Sequence, residues 1–308
     1  MKTIAEHKLG EAIRTKAYIK SSAKATTNTG SPYLSLTFAD TSGTINGKLW
    51  NITPAQERLL VQGTVVEFSG TVSEYAGRLQ VTLQSVDRAS GDVADFVQSA
   101  PTDIGKLRAH IESTVHNMNH VTLQRISQHF LTLFADSLYE YPAAKSMHHA
   151  YRGGLAHHIS GMLRIAEAVV PNYPGINADL LYAGIIIHDL GKTVELTDPF
   201  SPEYSLEGTL LGHINLLYGE LVKVESYFPG DESLLLLKHM VLAHHGKLEW
   251  GSPKKPATIE AYLLHQIDLM DANMNKLSQE LADIEVGDMS PKLFALDNQS
   301  FYKHHLAP

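Results

Sequence analysis

Two rhythms of apolar and polar positions divide this chain. Between Lys16 and Val86 apolar residues alternate in short runs, at 17–19, 33–38, 44–50, 64–68 and 79–83. A period of two sends successive side chains to opposite faces, so each run predicts a strand. Turn-formers separate the runs, from Asn28 to Pro32, Asp40 to Gly43 and Tyr75 to Gly77. Only the stretch from Thr53 to Gln62 departs from alternation, around a helix-like Pro54-Ala55-Gln56-Glu57-Arg58-Leu59-Leu60. Five strands with a short helix between the third and fourth form the plan of an OB-fold barrel. Beyond a polar stretch punctuated by Gly91 and Pro101, the period becomes helical, near 103–118, 121–138, 152–170, 177–190, 208–226, 231–245 and 256–283. Pro142, Pro171, Pro174, Pro199, Pro202, Pro229, Pro253 and Pro256 punctuate the spaces between these stretches or open the last of them. The predicted organisation is multidomain. An N-terminal all-β OB-fold barrel over 1–90 and a linker over 91–101 precede an all-α body over 102–286, and an irregular tail covers 287–308.

Composition sharpens this picture in two places. There are no cysteines, which removes disulfides, thiolate zinc sites and Cys nucleophiles and is compatible with a cytoplasmic location. The N-terminus is too charged for a signal peptide, and no apolar run approaches a membrane span, so no membrane partner is expected. The net charge of −8 is unevenly spread. Residues 1–90 carry ten Lys/Arg against seven Asp/Glu, and the remainder carries fifteen against twenty-six. An anionic polymer is drawn to the first part more than to the second.

A barrel that holds a single strand needs aromatic platforms for bases and cations for phosphates. Tyr33, Phe38, Trp50 and Tyr75 are the aromatic candidates, with Lys20, Lys24, Lys48 and Arg78 as cations. Alternation puts Phe38 in the core. Tyr33, Trp50 and Tyr75 lie near strand ends or loops, where the pattern leaves their exposure open. The string Tyr33 to Trp50 resembles the nucleic-acid-binding OB domains of tRNA synthetases. An OB fold alone also serves sugars and proteins.

The helical body carries the chemistry. His188-Asp189 closes the apolar run Leu181 to Ile187, with Gly191 in the usual position of a C-cap and Lys192 beyond it. A buried imidazole–carboxylate pair without a partner costs several kcal/mol. A divalent metal satisfies both groups at once. Further ligand types sit in apolar surroundings at His158, His213, His244, His245 and Asp268. Helical phase places His158 on the core-facing stripe with Leu155, Met162 and Ile165, and places His157 outward with Ser160, Gly161 and Arg164. His239, His265 and Asp271 rank below these as ligands, and His304-His305 reads as a solvated terminal pair.

The order His158, His188-Asp189, His213, His244-His245, Asp268 resembles the HD-domain metal-dependent phosphohydrolases, in particular the two-metal members. With Pro142 to His158, His244 to Pro253 and Leu296 to Lys303, the similarity extends over nearly the full length to the YhaM family of 3′–5′ exoribonucleases. That resemblance implies two divalent ions, Mn²⁺ foremost, with Fe, Ni, Co or Zn as alternatives. The first ion would be held by His158, His188, Asp189 and Asp268, and the second by His213, His244 and His245, with Asp189 bridging. The implied substrate is single-stranded RNA, and often single-stranded DNA. Lys192 would neutralise the transition state or, alternatively, serve as a helix C-terminal cation, and His148, His149 and Arg152 are candidate phosphate contacts. Two other readings stay open: an HD nucleotide or cyclic-dinucleotide phosphodiesterase, and a non-catalytic single-strand DNA-binding factor. A homo-oligomer is also left open.

Overall fold

The computed structural model describes residues 2–27, 30–75, 78–145, 149–282 and 284–306. The barrel is built around β1 (Ala12–Thr26), which serves two neighbours. Its first half pairs antiparallel with β4 (Val65–Tyr75) and its second half with β2 (Pro32–Asp40). The register shifts between Ile19 and Ser21, where the strand passes from one partner to the other. Such irregularities bend a strand, and bending is what closure requires. β3 (Gly43–Trp50) pairs antiparallel with β2 and parallel with β5 (Arg78–Arg88), and β5 runs antiparallel to β4. The result is a closed barrel in the order β1-β2-β3-β5-β4. Strand β1 begins earlier than alternation suggested, because Ile13 and Thr15 point inward between exposed Arg14 and half-buried Lys16.

Inside the barrel, Phe38 stacks on Phe68 with ring centroids 4.2 Å apart, among Ile19, Leu36, Val66 and Val81. Full burial of each such side chain contributes about 1.5–3 kcal/mol. The helix α1 (Pro54–Leu59) starts where Thr53 and Gln56 cap each other reciprocally.

The helical part comprises α2 (Ile104–His116), α3 (Val121–Leu133), α4 (Ala135–Leu138), α5 (Gly154–Val169), α6 (Ala178–Ile187), α7 (Lys192–Glu195), α8 (Leu206–Lys223), α9 (Glu232–Ala243) and α10 (Ile259–Ala282). Helix α6 is apolar on nearly every side, with Leu180, Leu181 and all of 183–187 buried. A helix without a polar face belongs at the centre. It packs against α3, α5, α9 and α10 and so delivers His188 and Asp189 to the middle of the helical unit.

The chain divides into two compact units, Met1–Ser99 with Asp198–Pro202, and Ala100–Thr197 with Glu203–Pro308. The short excursion 198–202 reads in the sequence as a proline-rich break between helices. Its residues anchor in the barrel unit: the Tyr18 hydroxyl donates to the Phe200 carbonyl (3.2 Å) and Gln62 Nε2 to Ser201 Oγ (2.7 Å). The C-terminal tail is more ordered than its composition suggested. It doubles back on itself, Gly287 N–H donating to the Lys303 carbonyl (2.7 Å) and Ser290 N–H to that of Phe301 (2.8 Å), while His304 and His305 are exposed. Among the described residues no helix is long and apolar enough to cross a membrane.

Candidate functional site

Asp189 is the hub of the helical unit. It is almost completely buried, and its two oxygens face different histidines. Oδ1 lies 3.5 Å from His213 Nε2 and 3.6 Å from His244 Nε2. Oδ2 lies 3.4 Å from His188 Nε2 and 3.8 Å from His158 Nε2, and His158 Nε2 is also 3.3 Å from Asp268 Oδ1. His245 joins the Oδ1 side, close enough to His213 and His244 that the three could share one ion. The structure therefore brings His158, His188, Asp189, His213, His244, His245 and Asp268 together.

What turns these rings is a second set of contacts at Nδ1. His188 Nδ1 donates to the Ile185 carbonyl (2.7 Å) and His244 Nδ1 to that of Val241 (2.8 Å), each one turn back on its own helix. His245 Nδ1 donates to the Trp250 carbonyl (2.8 Å). His158 Nδ1 donates to Asp271 Oδ2 (2.7 Å) and His213 Nδ1 to Glu195 Oε1 (3.1 Å). An acceptor at Nδ1 fixes the tautomer and leaves Nε2 as the free lone pair, which is how ligating histidines are held. The Nε2 atoms of His188, His213 and His244 and the Oδ1 of Asp189 are buried without a hydrogen-bond partner among the described residues. Leaving such atoms unsatisfied costs about 1–3 kcal/mol each. A cation would satisfy all four, so the donor set fits a divalent metal.

Two glycines permit this geometry. Gly212 adopts a left-handed φ of 72° inside α8 and interrupts the helix immediately before His213. The His213 N–H so released donates to Glu195 Oε1 (3.0 Å), the same oxygen that orients its ring. Gly191 corrects the sequence expectation. Its φ of −60° is ordinary right-handed backbone, so it is no left-handed C-cap. Its role is close approach, since a Cβ there would fall 2.3 Å from the His213 carbonyl oxygen.

Several candidate residues land elsewhere than expected. Lys192 opens α7 rather than closing a helix, and its Nζ donates to Asp189 Oδ2 (2.6 Å). Burial works against its charge, but Asp189 more than restores it and the pKa is raised. Arg152 is held in a two-pronged ion pair with Glu140 (2.6 and 2.9 Å), which leaves it less available as a phosphate contact. His149 is buried, with its Nε2 donating to Asp271 Oδ2 (2.7 Å) and its Nδ1 2.7 Å from the Tyr151 hydroxyl, so it too is less available as a phosphate contact. His148 lies outside the described residues. His157 is half-buried, 2.6 Å from the same tyrosine, and Ser160 is fully buried because His110 Nδ1 of α2 reaches it at 2.8 Å. The face of α5 read as outward is thus partly covered by its neighbours at His157, Ser160 and Gly161, while Arg164 is exposed as expected.

Sequence reasoning missed the part Asp271 plays in orienting His158 and passed over Glu195. The signal for Asp271 was present in its spacing: His265, Asp268 and Asp271 recur every three residues on the stripe that Ala261 and Leu264 begin. Burial opposes the charge of Asp271, but donation from His149 and His158 holds its carboxyl well below the usual range. Glu195 had no local signal, because it meets His213 only through the Gly212 break.

Burial pushes His157 down to about 4 and His244 down to about 3, and lowers His149 and His245 as well. An unfolded chain protonates these imidazoles below about pH 6.5, while the folded metal-free chain does not. The unfolded state then binds more protons, so stability falls as pH drops from about 6.5 towards 4. His158 runs the other way: burial opposes its charge, but Asp268 and Asp271 push it up to about 10. Its contribution is intact below about pH 6.5 and is lost only as pH rises through about 10. We therefore expect the Tm of chelator-treated protein to be lower at pH 5 than at pH 7.5. A Tm that is flat or rises on acidification would contradict this assignment.

The barrel presents its own candidate site. Tyr33 and Trp50 face each other across β2 and β3, with ring centroids 4.7 Å apart. Lys48 Nζ lies 5.6 Å from each ring and 5.9 Å from that of Tyr75. Trp50 is 52% and Tyr75 70% exposed, which settles what alternation left open for these two. Tyr75 and Arg78 line a 430 Å³ depression with Asn46, Leu79 and Gln80. Lys24 is less available, its Nζ being 2.8 and 2.9 Å from the Glu57 carboxylate oxygens.

A closed five-stranded barrel and a helical unit centred on a His/Asp cluster define a protein that joins an OB fold to an HD domain. Residues 14–88 match the family described as an OB-fold nucleic acid binding domain, and residues 155–273 match the HD domain family. The HD match and the His/Asp clusters mark a divalent-metal site. Over 307 residues, 98% of this chain and 95% of the relative, the sequence is 40% identical to the 3′–5′ exoribonuclease YhaM of Geobacillus sp. (strain WCH70). The chain belongs to the YhaM 3′–5′ exoribonuclease family. Among solved structures, a crystallised replication protein A domain from Methanococcus maripaludis matches at 23% identity, covering 29% of this chain and 94% of that chain with a TM-score of 0.26. The second OB-fold domain of replication protein A from the same organism, solved by NMR, matches at 20% identity, covering 30% and 96% with a TM-score of 0.25. Neither adds to the assignment.

Proposed function

We infer that this chain is a metal-dependent 3′–5′ exoribonuclease that releases 5′-mononucleotides from single-stranded RNA, with single-stranded DNA as a second substrate. One observation carries the reading: five imidazoles are clustered around a buried carboxylate, each with its Nδ1 committed to an oxygen acceptor, in a chain of the YhaM family. Residues 1–90 bind the strand, 91–101 link, and 102–286 carry the hydrolytic centre. His158, His188, Asp268 and Asp189 Oδ2 would hold one cation, and His213, His244, His245 and Asp189 Oδ1 the other. The nitrogen-rich, thiolate-free donors suit Mn²⁺, and Fe, Ni, Co or Zn by the same chemistry. When bound, the two cations supply a lowered water pKa and charge neutralisation at the phosphate.

The side chains do the rest. Asp189 spans both positions, and the fixed Nδ1 contacts keep five ligand nitrogens preorganised. Lys192 adds a buried positive charge beside Asp189, where negative charge grows on the phosphate oxygens. Water attacks phosphorus at the terminal linkage, and the O3′ of the penultimate nucleotide leaves. The products are a 5′-mononucleotide and a new 3′-hydroxyl. On the barrel, bases stack on Trp50, Tyr75 and Tyr33 while Lys48 and Arg78 meet phosphates, an arrangement that requires unpaired bases. A cytoplasmic location belongs to the same proposal.

A 5′-labelled single-stranded RNA incubated with Mn²⁺ tests it. We expect a descending ladder that halts a few nucleotides before a stable 3′ stem. Early labelled mononucleotide would mean attack from the 5′ end, and cleavage of a circular strand would mean an endonuclease. Hydrolysis of a cyclic dinucleotide but of no oligomer would favour a small-molecule phosphodiesterase.

A further inference from the structure

Next to the metal centre the helical unit holds a cavity of about 490 Å³, a size suited to one small ligand. One wall is polar and belongs to the centre itself: Lys192, His245 and Asp268. The rest of the lining is mostly apolar: Trp250, Leu269 and Ala272, with buried His265 beside them and Ala295 contributed by the folded tail. Trp250 is tied to both the metal centre and the loop before it. Its carbonyl accepts from His245 Nδ1 (2.8 Å), and Lys247 Nζ lies 3.9 Å from its ring centroid. A lining with a buried ammonium at Lys192 and an indole at Trp250 suits a ligand that carries both a negative charge and an aromatic ring.

Resting on the exonuclease reading, we propose that this cavity receives the 3′-terminal nucleotide, with its base stacked on Trp250 and its phosphate turned towards Lys192 and the metal centre. Around Trp250 the lining is carbon at Leu269, Ala272 and Ala295, and the one imidazole there, His265, commits its Nδ1 to the His244 carbonyl (3.0 Å). Recognition there is by stacking, which every base supports. The backbone link from Trp250 to His245 also ties the stacking platform to a ring of the metal centre.

The chain has two tryptophans, Trp50 and Trp250, so Trp50→Phe leaves Trp250 as the sole indole reporter. In the metal-loaded Trp50→Phe protein, 5′-AMP should quench tryptophan emission saturably and ribose 5-phosphate should not. Trp250→Ala should raise KM for single-stranded RNA about tenfold, with bound metal per chain unchanged, and Trp250→Phe should recover most of the loss. Absence of quenching, or a KM that does not move, with the 3′–5′ ladder intact overturns the pocket and leaves the exonuclease standing. Loss of metal from Trp250→Ala would make the residue a structural prop and also overturns it. Quenching by 5′-AMP in a protein that hydrolyses no RNA would uphold the nucleotide pocket and defeat the exonuclease reading.

Discussion

Replacing Asp189 with Ala should reduce RNA hydrolysis at least about a thousandfold and strip the protein of bound metal. The size follows from position. One buried carboxylate faces four Nε2 atoms at 3.4–3.8 Å and shares Oδ2 with Lys192 at 2.6 Å. Without it, both cation positions lose a ligand, and a buried ammonium loses its partner. Breaking such a buried pair costs about 3–5 kcal/mol, so Asp189→Ala is expected to melt earlier. Asp189→Asn keeps the shape while removing the charge, and it separates lost chemistry from lost folding. Strand binding by the barrel, a compact unit of its own, should survive in both. Metal content and turnover at the unsubstituted level in either variant would remove Asp189 from the centre.

Substitution of His158 should have the next largest effect, and substitution of its neighbour a small one. His158 is fully buried in α5, between Asp271 at Nδ1 and Asp268 and Asp189 at Nε2. His158→Ala removes a ligand, takes the imidazole from Asp268 and leaves Asp271 with His149, so a loss of about a hundredfold or more in turnover is expected. His157 reaches the centre only through Tyr151, His149 and Asp271. His157→Ala should therefore stay within about tenfold of the unsubstituted enzyme. The reverse ranking, measured as kcat on one RNA oligomer, would put the ligand on the other face of α5.

Much of this site was legible because its residues are expensive to bury. His188-Asp189 announced itself by following seven mostly apolar residues, and His213 and His244 by the same conflict between polarity and surroundings. Helical phase separated His158 from His157 without any knowledge of what packs nearby. The barrel was readable for a different reason: a period of two with turn residues at the right intervals permits few architectures. What stayed hidden depends on contacts distant in sequence. Glu195 acquires meaning only where the Gly212 break turns His213 towards it. Arg152 looked like a free cation because Glu140 gives no sign of being its partner. The role of Gly191 depends on the backbone of α8 passing close by, which no local pattern encodes. The 198–202 excursion belongs to the barrel unit through Phe200 and Ser201, although its prolines mark only a break.

The most direct measurement is a crystal structure of the Mn²⁺-loaded protein with anomalous data collected for manganese. Two anomalous peaks should appear, one on each side of the Asp189 carboxylate, the first among His158, His188 and Asp268 and the second among His213, His244 and His245. A single peak, or a peak between His149 and Asp271 with none at Asp189, would contradict the account.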